Sequence, residues 1–227
     1  MVVSITATPE WRTVHPGAAI GLLELSNLDN TRPALQLDGR KRETEARLRE
    51  RYRGFTRQDF LSLPVMAAYA QYYKRFDKTY HVLLQVESIV LKGKPLPNVS
   101  PLVDANFMAE VDTLVLTAGH DVDKLLGGVC IDASRDGDRL TQMDGTTKAI
   151  RAGDMIMRDT KGICCSILYG QDDRSPISVE TSHVLYVAYA PPRVPAATLE
   201  GHLQAIEHHV RSVSPRAVRE QQQLLVA

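Results

Sequence analysis

Apolar positions fall at helical spacing in the first half of the chain and in short strand-like runs in the second. Ala18 to Leu28, AAIGLLELSNL, is apolar and ends at Asp29-Asn30, which predicts an early buried strand. Lys41 to Arg53 is dense in Arg and Glu. A thin stripe of Ala46, Leu48 and Tyr52 predicts a solvated helix there, and its basic side is the best candidate for an electrostatic patch. Arg57 to Phe76 predicts a second helix, with Pro64 in its first turn or breaking it. Tyr69, Tyr72 and Tyr73 are expected to pack along it with their hydroxyls at the surface. Val82 to Leu91 predicts a third helix. Val82, Val86, Ile89 and Val90 share one side, and His81, Gln85 and Ser88 lie on an adjacent stripe. Gly93 and Pro95 end it. Leu102 to Asp112 predicts a fourth helix, on which Asn106 and Glu110, four apart, share a face.

After a Thr-Ala-Gly-His-Asp turn ending at Asp121, the pattern changes. Val129–Ala133, Met155–Met157, Ile163–Leu168 and Val184–Tyr189 are separated by Asp136-Gly137, Asp144-Gly145, Gly153-Asp154 and Lys161-Gly162. Short apolar runs between Gly/Asp turns predict a β-meander or sandwich. Ala197 to Val213 predicts a closing helix stopped by Pro215, and Gln221-Gln222-Gln223 begins a polar tail. The order of strand, helices, strands and helix predicts an α+β fold rather than alternating α/β. No internal repeat or low-complexity linker interrupts it, so residues 1–227 are expected to form one domain.

Composition narrows the function classes. Lys plus Arg and Asp plus Glu are 27 each, and hydrophobic content is 44% of 227 residues. That balance argues against grip on nucleic acid by general phosphate attraction and leaves open RNA contact through a local patch. No apolar run approaches the roughly 18 residues of a membrane span, and the N-terminus carries no basic-then-apolar leader pattern. Three cysteines, two of them adjacent at Cys164-Cys165, fit reduced thiols in a cytoplasm. Alternation in that strand expects one of the pair to face the core and the other not.

The chain has no nucleophile elbow, Walker loop, dinucleotide fingerprint, Cys-x-x-Cys or His-Glu-x-x-His motif. His202, His208 and His209 lack zinc spacing and read as solvated helix residues. The remaining polar groups suggest a pocket. His120-Asp121 follows Gly119, and a second polar turn, Tyr169-Gly170-Gln171-Asp172-Asp173-Arg174, follows a strand. If Glu110, His120 and Asp172 converge, they form an acid/base group or a set of ligands for a divalent metal. His81, Gln85, Asn106, Asp121, Tyr169, Gly170, Gln171 and Arg174 are candidate substrate-binding residues. No cofactor is predicted.

From about Lys78 to Pro192 the chain resembles the B3/B4 domain of the bacterial phenylalanyl-tRNA synthetase β subunit, in its stand-alone form. The pieces that carry the resemblance keep their order and spacing. They are Leu96-Pro97, Pro101-Leu102-Val103-Asp104-Ala105-Asn106 and Gly119-His120-Asp121-Val122-Asp123-Lys124-Leu125. Met143-Asp144-Gly145, Gly153-Asp154, Met157-Arg158-Asp159, the Gly170 turn and Glu180-Thr181 follow. The resemblance implies a three-layer α+β fold around a β-sandwich of unusual topology. It divides the chain into an N-terminal helical flank (about 1–77), a core (about 78–192) and a C-terminal helix and tail (193–227). In the synthetase this domain hydrolyses the ester of tyrosine wrongly attached to the tRNA for phenylalanine.

Three departures stand out. The family's editing histidine falls at Ala118, two positions before His120. Its Gly-Gly-Glu turn reads Tyr169-Gly170-Gln171, with Asp172 as the substitute carboxylate. A Trp- and Arg-rich stretch of many stand-alone members reads Cys165-Ser166-Ile167-Leu168-Tyr169. The resemblance thus implies tRNA or aminoacyl-tRNA as partner and hydrolysis of mischarged aminoacyl-tRNA as the activity. The alternative is a non-catalytic protein that binds an amino acid or other small molecule in the same pocket.

Overall fold

The structure is a computed structural model that describes residues 2–227. Its elements, in chain order, are β1 (Ile5–Ala7), α1 (Pro9–Val14), β2 (Ala19–Ser26), α2 (Leu35–Arg51), α3 (Arg57–Ser62), α4 (Pro64–Lys74), α5 (His81–Val90), α6 (Pro101–Thr113), β3 (Thr117–Asp121), β4 (Val129–Ala133), β5 (Arg139–Thr141), β6 (Thr147–Ala149), β7 (Met155–Arg158), β8 (Ile163–Ser166), β9 (Gly170–Gln171), β10 (Val184–Ala190), α7 (Ala196–Val213) and β11 (Val218–Val226). Among the described residues they form three sheets: β1-β4-β7-β8-β9, β11-β2-β10-β3 and the hairpin β5-β6. The fold is α+β.

In the four-stranded sheet β2 and β10 are the inner strands, and both are antiparallel to their neighbours. All seven residues of β10, VLYVAYA, are buried. A strand covered on both faces reads as a continuous apolar run rather than an alternating one. Helix α7 lies across β2, and Gly21 is where they meet. A Cβ there would come within 2.9 Å of Leu199 Cγ and 3.2 Å of Leu203 Cδ1. The close approach therefore requires glycine.

Pro64 breaks the expected Arg57–Phe76 helix. Thr56 caps α3 through a capping box with Asp59, and Leu63 turns extended so that Pro64 becomes the first residue of α4. The tyrosines of α4 do not reach the surface. Tyr69, Tyr72 and Tyr73 are buried, and their hydroxyls bond inward to Tyr189 O (2.6 Å), Asp154 Oδ1 (2.7 Å) and Ile167 O (2.5 Å). Tyr80 stacks on Tyr69 with ring centroids 4.2 Å apart and donates to Leu114 O.

Five further expectations are corrected. The Thr-Ala-Gly-His-Asp segment is not a turn but strand β3, paired with β10. The glutamine-rich tail is strand β11, which adds to the edge of β2. Its Gln221 donates to the buried Glu24 and to Val3 O, so a polar run closes the sheet. Helix α2 starts at Leu35 and is not merely solvated: Lys41, Thr44, Glu45 and Leu48 are buried, and Ala46 is exposed. His202 is fully buried, with Nδ1 2.7 Å from Thr113 Oγ1 and Nε2 bonded to Thr117 Oγ1. Both Cys164 and Cys165 are buried, because β8 is covered on both sides.

Replacing Gly21 by Ala drives a methyl group into Leu199 and Leu203. The expected cost is about 1–3 kcal/mol, the usual range for overpacking. It should appear as a lower urea midpoint at unchanged m-value. An unchanged midpoint would mean the seam between β2 and α7 has room to spare.

Candidate functional site

The strands β3, β8, β9 and β10 meet α5 and α6 around a cavity of about 350 Å³. Its wall is mostly apolar: Val103, Phe107, Leu116, Ile167, Ile177 and Met143 contribute to it. His81, Asn106, Thr117, Cys165, Ser166, Gly170, Gln171 and Tyr189 supply the polar atoms. Such a mix of apolar wall and few placed polar groups is the usual make-up of a small-molecule site.

Two of those polar atoms have no partner. Asn106 donates through Nδ2 to Thr117 O (3.3 Å), and its Oδ1 is buried and unpaired. The Tyr189 hydroxyl is likewise buried with no oxygen or nitrogen partner; its one polar neighbour is the Cys165 thiol, a weak hydrogen-bonding group. An orphaned buried polar group costs on the order of 1–3 kcal/mol, so two on one cavity wall call for an explanation.

The remaining polar groups are held from behind. Ser166 donates to Asp154, which also accepts from Tyr72 and from Leu168 N. Burial pushes the Asp154 carboxyl up to about 7. Gln171 is fixed by Nε2 donating to Gly119 O (2.8 Å) and Ser175 O (3.0 Å). The His81 ring, with Nδ1 3.2 Å from Tyr73 Oη, has its pKa lowered to about 4 by burial and stands neutral at pH 7. Burial raises the Cys165 thiol well above its ordinary value, so it is no thiolate nucleophile.

The structure separates the polar residues singled out from sequence. His81, Asn106, Gly170 and Gln171 line this cavity. Gln85 lines a neighbouring one with His81. His120, Asp121, Glu110, Asp172, Tyr169 and Arg174 do not line it. His120 and Asp172 do converge, though through a third residue: His120 Nδ1 is 2.7 Å from Ser175 Oγ, which donates to Asp172 Oδ1 (2.6 Å). This row lies behind the wall. His120 is fully buried, its pKa is lowered to about 3 by burial, and its Nε2 has no partner. Burial also raises the Asp172 carboxyl. Arg174 pairs with Asp159 (3.1 Å) and Asp172 (2.9 Å) rather than reaching the cavity. Asp121 accepts from Thr181 and caps the Val122–Lys124 turn. Tyr169 turns its ring to Lys78, 4.4 Å away.

Glu110 does not join His120 and Asp172. It is buried on α6, where its Oε1 accepts from Thr117 N (2.7 Å). The expectation of a three-residue acid/base or metal-ligating group is therefore corrected. Helix α6 turns Glu110 toward the start of β3, while His120 sits at the far end of that strand. Among the described residues, no group of three or more His, Cys, Asp or Glu side chains is placed to hold a metal ion.

Sequence reasoning missed Phe107, Thr117, Ser166 and Tyr189 on the wall. Tyr189 carried a signal, a polar tip within an otherwise apolar strand. Ser166 and Thr117 carried none, since both lie in strands with unremarkable alternation.

The buried Glu110 gives a pH signature. Burial raises its carboxyl from about 4.5 to about 8, opposed by the Thr117 amide. The folded chain thus holds this proton more tightly than the unfolded one. Its contribution to stability is full below about pH 4.5 and is lost as pH rises toward 8. In Glu110→Gln the side chain accepts the same bond and cannot ionise. Urea denaturation should show wild type losing stability relative to this variant by about 1.4 kcal/mol per pH unit between roughly pH 5 and 7.5. A gap that stays constant contradicts a neutral buried carboxyl.

A crystal structure of an N-terminal fragment of the phenylalanyl-tRNA synthetase β-subunit from Pyrococcus horikoshii is similar at a TM-score of 0.47 and 8% identity. The superposition covers 99% of this chain and 50% of that one, so the chain spans about half the length of the fragment. No curated protein sequence matches. No helix among the described residues is long and apolar enough to cross a membrane. The sequence model of the B3/4 domain matches residues 65–227, most of the chain, and the chain belongs to the B3/4 domain family.

Proposed function

We propose that the cavity between α5, α6 and the strands β3, β8 and β10 holds an aminoacyl group, and that the chain thereby recognises the aminoacyl end of a tRNA. One observation carries this reading: the unpaired Asn106 Oδ1 and Tyr189 hydroxyl in an otherwise apolar cavity. An amino acid ester has the complementary parts. Its amine donates to Asn106 Oδ1, its carbonyl accepts from Tyr189, and its side chain fills the apolar remainder among Val103, Phe107 and Ile177. A volume of about 350 Å³ suits a group of this size. The tRNA part of the reading comes from membership of the B3/4 family and from the ordered motifs between Leu96 and Thr181. One continuous apolar cluster runs from Val3 to Ala217, which supports taking residues 1–227 as one unit.

The chemistry proposed is positioning rather than acid/base catalysis. Glu110, His120 and Asp172 stand outside the wall, and His81 is a neutral imidazole. Hydrolysis of a mischarged ester would then rest on a water held against the carbonyl by Thr117, Gln171 and the backbone of Gly170. The placement of the acids favours a second reading as well, in which the pocket binds an amino acid and performs no hydrolysis.

Binding of charged and uncharged tRNA by the purified chain separates these. Aminoacyl-tRNA should bind at least tenfold more tightly than the same tRNA without its amino acid, and equal affinities would sink the reading. Ester loss from mischarged tRNA above the spontaneous rate selects the hydrolytic version. Tyr189→Phe removes an unpaired hydroxyl, so the free protein should melt at the same temperature or higher. Its affinity for a free amino acid amide should fall about tenfold, one hydrogen bond's worth. A variant that melts lower and binds as before would show that the hydroxyl serves the fold.

A further inference from the structure

A second cavity, also of about 350 Å³, adjoins the first and shares His81 and Phe107 with it. Its walls are one face of α5 (His81, Leu84, Gln85, Ser88 and Ile89), Val111 of α6 and the segment Pro95-Leu96-Pro97. No charged side chain lines it. We propose that this cavity is a nucleobase site and that it takes an adenine.

The wall is built rather than incidental. The segment Gly93–Pro97 has no secondary structure of its own, and α2 holds it in place. Lys41 Nζ donates to Pro97 O (2.5 Å), Glu45 Oε1 accepts from Leu96 N (2.7 Å), and Arg49 donates to Gly93 O (3.3 Å) and Lys94 O (3.2 Å). These three residues follow one another at four-residue spacing on one face of α2. Lys41 is further fixed by a buried pair with Asp104 (3.0 Å). The helix that composition marked as a solvated, basic surface thus uses its charges to shape this cavity.

Of the polar side chains on this wall, His81, Gln85 and Ser88, it is Gln85 that leaves a buried atom unpaired. Its Oε1 is buried and has no hydrogen-bond partner. A glutamine amide presents an acceptor and a donor side by side. Adenine presents the complement, an N6 amino group beside a ring nitrogen acceptor, and this is the pairing by which glutamine reads adenine. Phe107, His81, Pro95 and Pro97 line the cavity, and aromatic and apolar rings are the surfaces on which a base stacks. A neutral wall suits a neutral heterocycle and opposes a phosphate or carboxylate.

The shared wall gives the two cavities one purpose. The terminal adenosine of a tRNA carries its amino acid on the ribose next to its base. An aminoacyl group in the first cavity and its adenine in the second would straddle His81 and Phe107. This coupling rests on the proposed function; the adenine site itself does not.

Titration of the full chain with adenosine, inosine and uridine, followed by calorimetry or nuclear magnetic resonance, tests it. Adenosine should bind, and inosine, which has a carbonyl in place of the amino group, at least tenfold more weakly. Gln85→Leu should lose at least tenfold in adenosine affinity while keeping its melting temperature and its affinity for an amino acid amide. Phe107→Leu, which keeps an apolar side chain, should weaken both ligands. The proposal is overturned if adenosine shows no binding at millimolar concentration, if inosine binds equally, or if Gln85→Leu binds adenosine as wild type does. Adenosine binding without any amino acid amide binding would sustain this site and overturn the aminoacyl reading. The reverse result would do the opposite.

Discussion

A buried tyrosine hydroxyl is costly unless it is paired, and four paired ones hold this fold together. Tyr69, Tyr72, Tyr73 and Tyr80 come from α4 and the start of α5, and each reaches a different part of the chain: Tyr189, Asp154, Ile167 and Leu114. Tyr69 also accepts from Leu116 N, so one hydroxyl ties β10 to the chain entering β3. Tyr72 accepts from Met155 N while donating to Asp154. Without these bonds the phenols would be costly guests in an apolar core; with them they fix the strands that wall the cavity. Leu116, Ile167 and Tyr189 are all on that wall.

Behind the wall, ionisable groups serve the fold more than any chemistry. His202 sits between Thr113 and Thr117, Glu110 holds the amide of Thr117, and His120 meets Asp172 through Ser175. Each row ends at a residue that touches the cavity or neighbours one that does. Burial shifts them toward their neutral forms: histidines downward, carboxylic acids upward. These hydrogen-bonded rows position the wall from behind, and where the row of His120 ends at Asp172 it meets the Arg174 guanidinium.

The second wall works by different means. Lys41, Glu45 and Arg49 of α2 face the backbone of the Gly93–Pro97 segment and hydrogen-bond to it. A loop of two prolines and a glycine has few backbone bonds of its own. Clamping it from a neighbouring helix gives it a fixed shape at the cost of burying Lys41, which Asp104 offsets. The chain therefore builds one cavity against a rigid sheet and the other against a loop braced by a helix.

The sequence by itself determined the α+β order, the helices over α5, α6 and α7 and the buried strand β2. Those follow from periodicity and turn residues, which act within a few positions along the chain. It also named His81, Asn106, Gly170 and Gln171 as candidates, and these four line one cavity. Only the tertiary structure decided the rest. Thr117–Asp121 and Val218–Val226 become strands because β10 and β2 offer open edges to pair with, and no local pattern records a partner about 70 or about 200 residues away. His120 and Glu110 leave the cavity because a strand sends neighbouring side chains to opposite faces and a helix sends them around its axis. Which face meets the pocket is fixed by what packs against the other one.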